Sequence, residues 1–113
     1  MDSDFSVEVG TRDGAPWLAL RGELDLASSP TLERELEPLT ASAPQTVLDL
    51  RELEFMDSTG LSVLVKAHQR AEEQGKRFGL VNGSQQVQRL LTLTGVADRL
   101  TLVNAPEELF GGG

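Results

Sequence analysis

The sequence predicts an α/β fold: a single domain with a mixed β-sheet of about five strands and crossover helices. Three observations lead there. Apolar residues alternate at every second position near the start and resume after a turn, as in a β-hairpin. Beyond Pro30, stretches with helical spacing take turns with short apolar runs. At 113 residues the chain can bury one contiguous core but not two ordinary ones. The order strand, strand, helix, strand, helix, strand, helix, strand then requires crossovers, and hence parallel pairing, in its later part.

Phe5, Val7 and Val9 alternate with Ser6 and Glu8, the period of a half-buried strand. Arg12-Asp13-Gly14 supplies a turn, and Trp17-Leu18-Ala19-Leu20 resumes as a second strand, so residues 5–22 read as a hairpin. The segment from Asp25 to Pro30 breaks the strand. Ser29-Pro30 is a helix start, with the serine expected to cap and the proline suited to the first turn, and Leu32, Leu36 and Leu39 then share one face. After Pro44, Thr46-Val47-Leu48-Asp49-Leu50 reads as a third strand. Leu61, Leu64, Val65, His68 and Ala71 fall at helical spacing before Gly75, which predicts a second helix from about Ser58 to about Gln74. Residues 78–81 form a fourth strand, followed by an Asn82-Gly83 turn. A third helix carries Val87, Leu90, Leu91 and Thr94 and stops at Gly95, residues 100–103 form a fifth strand, and Pro106 to Phe110 begin a last helical turn. The domain is expected to span 1–110, with 111–113 a flexible glycine tail.

Composition excludes several classes of function. There is no cysteine, so no disulfide framework or thiolate metal cluster is available, and the cytoplasm is the expected compartment. The start is acidic with no apolar stretch behind it, unlike a secretory signal, and apolar runs such as Val63-Leu64-Val65 are far too short to span a bilayer. A net charge of -8, from 18 acidic against 10 basic residues, disfavours nucleic acid and anionic membranes as partners. No glycine-rich string ends in lysine, no glycine-serine elbow is present, and the lone His68 has no second metal-ligand type at useful spacing. His68 is expected as a partly exposed helix residue and Trp17 at the core or its edge. No enzyme activity, cofactor or metal is expected, and without a heptad seam the chain is expected to be monomeric.

One segment stands out. The third strand runs toward Asp57-Ser58-Thr59-Gly60-Leu61, where the second helix begins, placing Ser58 at or next to a helix N-terminus. Asp, Ser and Thr before an apolar helix are ordinary capping residues. The same position exposes unpaired backbone N–H groups and the positive end of the helix dipole, so a phosphate on Ser58 would meet a favourable field.

Together with Gly22-Glu23-Leu24-Asp25 at the end of strand two and the run from Val81-Asn82-Gly83 through Thr94-Gly95-Val96, this segment makes residues 5–105 resemble the anti-sigma factor antagonists, STAS domains that include sporulation regulators of Gram-positive bacteria. The resemblance implies that Ser58 is phosphorylated by an anti-sigma factor that is itself a serine kinase, and that Gly22-Glu23-Leu24-Asp25 is a loop near that serine. It implies a partner-switching cycle in transcription regulation, during sporulation or stress response. Unmodified antagonist holds the kinase and frees the sigma factor, phosphorylation releases it, and a metal-dependent serine phosphatase resets it. Asp25, Asp57, Ser58, Thr59 and Gly60 would form the partner-binding surface. The final helix is shorter than in many members. A rival expectation with the same fold is a non-switching STAS scaffold, or a regulatory subunit of a signalling or transporter complex.

Overall fold

The structure, a computed structural model, describes residues 5–105. Its elements are β1 (Ser6–Arg12), β2 (Ala15–Leu24), α1 (Ser29–Ser42), β3 (Gln45–Met56), α2 (Ser58–Glu73), β4 (Arg77–Val81), α3 (Gln85–Leu93), a short 3-10 turn (Val96–Asp98) and β5 (Thr101–Val103). The five strands lie in sequence order in one sheet. β1 and β2 are antiparallel, and each later pair is parallel. Parallel crossovers are right-handed, so three successive crossovers advancing in one direction set α1, α2 and α3 on the same face.

The strand alternation follows from that layering. Leu18 and Leu20 of β2, Leu48 and Leu50 of β3 and Leu80 of β4 are fully buried toward the helices, meeting Leu32, Leu64 and Leu91. Residues of opposite parity, Val47 and Val81, bury on the other face with Trp17 and Val103 packed around them. Trp17 thus lies at a core edge as expected, with Arg12 stacked over its ring at 5.3 Å. Beside it, Arg51 holds the Asp49 carboxylate through its Nε at 3.0 Å and Nη2 at 2.8 Å. Burial pushes the Asp49 carboxyl up, but hydrogen bonds and charge from Arg51, together with a bond from the Trp17 side chain, outweigh it and hold the carboxyl below its ordinary value.

Several sequence expectations are corrected. β2 continues to Leu24 and β3 to Met56, because the two pair from Trp17↔Val47 through to Leu24↔Met56 across two register shifts. Gly22-Glu23-Leu24 is therefore strand, and only Asp25 begins the loop. Ser29 is the first residue of α1, not its cap; Ser28 precedes it and makes no side-chain bond to the helix. His68 is buried at 9% exposure, not partly exposed, edge-on to Phe78 with its Nδ1 3.5 Å from Glu72 Oε1. Leu100 precedes β5 rather than opening it, and the 3-10 turn after Gly95 had no counterpart in the periodicity. The expected helical turn at Pro106 to Phe110 and the tail 111–113 lie outside the described residues. Among the described residues, no helix is long and apolar enough to cross a membrane.

Candidate functional site

The carboxyl ends of β2 and β3 meet at one end of the sheet. Leu24 and Met56 are register partners, so the next residues, Asp25 and Asp57, leave the sheet side by side. The Asp57 N–H donates to Leu24 O at 3.1 Å, tying the second exit to the first.

Asp57 is the N-cap of α2: its backbone is extended and its Oδ1 accepts from the Gly60 N–H at 3.0 Å. Ser58, Thr59 and Gly60 are thus the first three helical residues. Ser58 is exposed, Thr59 half-buried and Gly60 buried. The Ser58 hydroxyl makes no hydrogen bond to another described residue, while its carbonyl accepts from Ser62 Oγ at 3.0 Å one turn on. Capping by Asp57 therefore leaves the neighbouring hydroxyl free, at the end of the helix where backbone N–H groups point outward.

Gly60 makes this geometry possible. A Cβ there would lie 2.7 Å from Leu24 Cγ and 2.9 Å from Leu24 O, so only glycine lets the first turn of α2 sit this close to β2.

Asp25 has a local task. Its Oδ1 accepts from the N–H groups of Ala27 and Ser28, both at 3.1 Å, and its own N–H donates to Ser28 Oγ at 2.9 Å. Ser28 Oγ donates to Glu23 O at 2.8 Å, and Ser29 Oγ to Asp25 O at 2.7 Å. This turn of side-chain and backbone bonds directs the chain from β2 into α1 and fixes the wall beside the Asp57 exit. Two large apolar side chains stand exposed near these exits: Leu26, next to Asp25, at 74%, and Phe55, next to Met56, at 39%.

The structure thus places Asp25, Asp57, Ser58, Thr59 and Gly60 together at one end of the sheet. Sequence reasoning missed two contributors. Ser28 is hidden in a Ser-Ser-Pro string that reads as a cap. Gln86 of α3 bonds the backbone of Met56 across 30 residues, a contact with no local signal. A separate groove of about 240 Å³, lined by His68, Glu72, Lys76 and Phe78, opens where β3 and β4 begin, at the other end of the sheet. Among the described residues, no group of three or more His, Cys, Asp or Glu side chains could hold a metal ion.

A family model described as Mlab, STAS domain matches residues 7–104. The anti-sigma-B factor antagonist of Bacillus subtilis is 32% identical over 95 residues, covering 84% of this chain and 87% of its own. The crystal structure of an anti-sigma factor antagonist from Mycobacterium paratuberculosis superposes with a TM-score of 0.89 at 26% identity, over 98% of this chain and 95% of that one. The Bacillus cell fate determinant SpoIIAA in its phosphorylated form superposes with a TM-score of 0.68 at 21% identity, over 95% of this chain and 96% of that one.

Proposed function

The chain belongs to the STAS domain family, and from that premise we propose that it is an anti-sigma factor antagonist, switched off by phosphorylation of Ser58. STAS proteins of this kind are regulatory binding proteins and not enzymes. Unmodified, the chain binds an anti-sigma factor serine kinase in the cytoplasm and so releases a sigma factor. The kinase holds the nucleotide and the catalytic base, and this chain supplies only a hydroxyl and a surface. A metal-dependent serine phosphatase returns it to the binding state.

The observation that carries this reading is the exposed, unbonded Ser58 hydroxyl at the first position of α2. Leu26 and Phe55 give the same end of the molecule the apolar area a docking partner buries. A phosphate on Ser58 adds roughly -1.5 to -2 charge beside Asp57. The helix N-terminus accommodates that charge without unfolding, whereas a partner pressed against it meets repulsion and a desolvation penalty. A thousandfold loss of affinity needs only about 4 kcal/mol of such difference.

The test is incubation with the anti-sigma factor kinase that binds the chain, plus ATP, followed by mass spectrometry and binding measurements. One phosphate on Ser58 is expected. Ser58→Ala should stay bound in the presence of ATP, and Ser58→Glu should bind less tightly than wild type but more tightly than the phosphorylated chain, because one carboxylate carries less charge than a phosphate. Equal affinity of the kinase for phosphorylated and unmodified protein would refute the switch.

A further inference from the structure

The end of β3 is held by a strand on one side and by a side chain on the other. β2 accompanies β3 up to Leu24↔Met56, but β4 parts from it after Asp49↔Val81, so beyond Asp49, among the described residues, β3 has no neighbouring strand on its β4 edge. In a parallel ladder the N–H and C=O of one residue point to the same edge, and the next residue points to the other. Asp57 directs its N–H to β2, where Leu24 O accepts it. Met56 therefore points to the vacated edge.

There the Gln86 amide takes both groups. The Met56 N–H donates to Gln86 Oε1 at 3.0 Å, and Gln86 Nε2 donates to Met56 O at 3.2 Å. A primary amide carries one acceptor and a donor side by side, as a strand backbone does, so the side chain stands in for the strand that has left. The β4–α3 connection comes close enough because residue 83 is glycine: a Cβ there would collide with the backbone carbonyl of Leu50. With Met56 bonded to α3 and Asp57 bonded to β2, the two residues before Ser58 are pinned from opposite sides.

We infer that Gln86 is a positioning residue for Ser58: by closing the free edge of β3 at Met56, its amide sets the direction in which the chain enters α2 and so presents the hydroxyl to the kinase in one orientation. This rests on Ser58 being the phosphoacceptor. The Asp57 cap shapes the first turn of α2 but leaves the β4 side of Met56 open, so the two devices act on different freedoms. An acceptor held in line with an attacking geometry reacts faster than one that wanders, and a displacement near 1 Å costs on the order of a hundredfold in rate.

The experiment compares wild type with Gln86→Leu, which keeps the bulk and loses both bonds, and Gln86→Glu, which keeps only the acceptor. Amide exchange is followed by NMR at Met56 and, as a core reference, at Leu48, and phosphorylation of Ser58 is followed kinetically. In Gln86→Leu, exchange at Met56 should quicken at least tenfold more than at Leu48, and kcat/KM for phosphorylation should fall about ten- to hundredfold, mainly in kcat. Gln86→Glu should lie between, and it serves alone if the leucine variant does not fold. Unchanged relative protection at Met56, or phosphorylation at the wild-type rate despite lost protection, would overturn the inference. If wild-type chain gains no phosphate on Ser58 while Met56 still loses protection in the variants, the functional reading falls and the clasp stands.

Discussion

Replacing Gly60 with alanine adds one methyl group at the tightest approach between α2 and β2. The new Cβ would lie 2.7 Å from Leu24 Cγ, 2.9 Å from Leu24 O and 3.0 Å from Leu24 Cδ2. Carbon atoms in contact sit at about 3.5–4.0 Å, so α2 or Leu24 must move by about 1 Å. Leu24 is fully buried and its carbonyl already accepts the Asp57 N–H, so neither side chain nor backbone yields freely. Overpacking of this kind costs about 1–3 kcal/mol, against a gain of up to about 1 kcal/mol from replacing glycine inside a helix. The expected net loss is about 1–2 kcal/mol, read as a lower urea midpoint at unchanged slope. A double-mutant cycle locates the cause. Leu24→Ala alone removes a buried side chain at about 2–5 kcal/mol, but in its background Gly60→Ala meets only the carbonyl and should be at least about 0.5 kcal/mol less damaging. A Gly60→Ala protein as stable as wild type, or strictly additive effects, would show that the approach between α2 and β2 is not the constraint described.

Ser28→Ala removes the acceptor for Asp25 N–H and the donor to Glu23 O at a side chain only 2% exposed, so it should destabilise the fold by about 1–3 kcal/mol in urea titration. Asp49→Asn should be less stable than wild type by about 1–2 kcal/mol near pH 7, through loss of the charge-assisted bonds from Arg51. Because the folded pKa of Asp49 is lowered, its contribution is fully present above the ordinary value of 3.8 and is lost as pH falls through the lower folded value. The gap between Asp49→Asn and wild type should therefore narrow in acid, as measured by thermal unfolding from pH 7 downward, and a constant gap would contradict the assignment.

Much of the architecture was legible because local patterns carry it. The Phe5-Val7-Val9 alternation, the Asp13-Gly14 turn and the apolar faces of α1, α2 and α3 are short-range consequences of strand and helix periods, and each element forms there, although β1 starts at Ser6, runs on to Arg12 and leaves Val9 47% exposed where the alternation predicts a half-buried strand. Ends were less legible. The apolar pattern marks β3 only over Thr46 to Leu50, yet pairing with β2 carries it through Arg51, Glu52 and Glu54 to Met56. His68 reads as a polar helix residue, but the packing of α2 against β4 buries it against Phe78.

The site divides in the same way. Ser58 and the capping residues around it lie within a few adjacent residues, and the family resemblance rests on short motifs along the chain, so the sequence by itself determined the mixed α/β topology and the place of the serine at the start of α2. Only the tertiary structure decided that Asp25 spends its carboxylate on the turn into α1, that Gly60 is required by Leu24, and that Gln86 completes the edge of β3. Periodicity and capping are functions of neighbours along the chain, whereas a backbone group left without a strand is satisfied by whatever folding brings to it, here an amide 30 residues away.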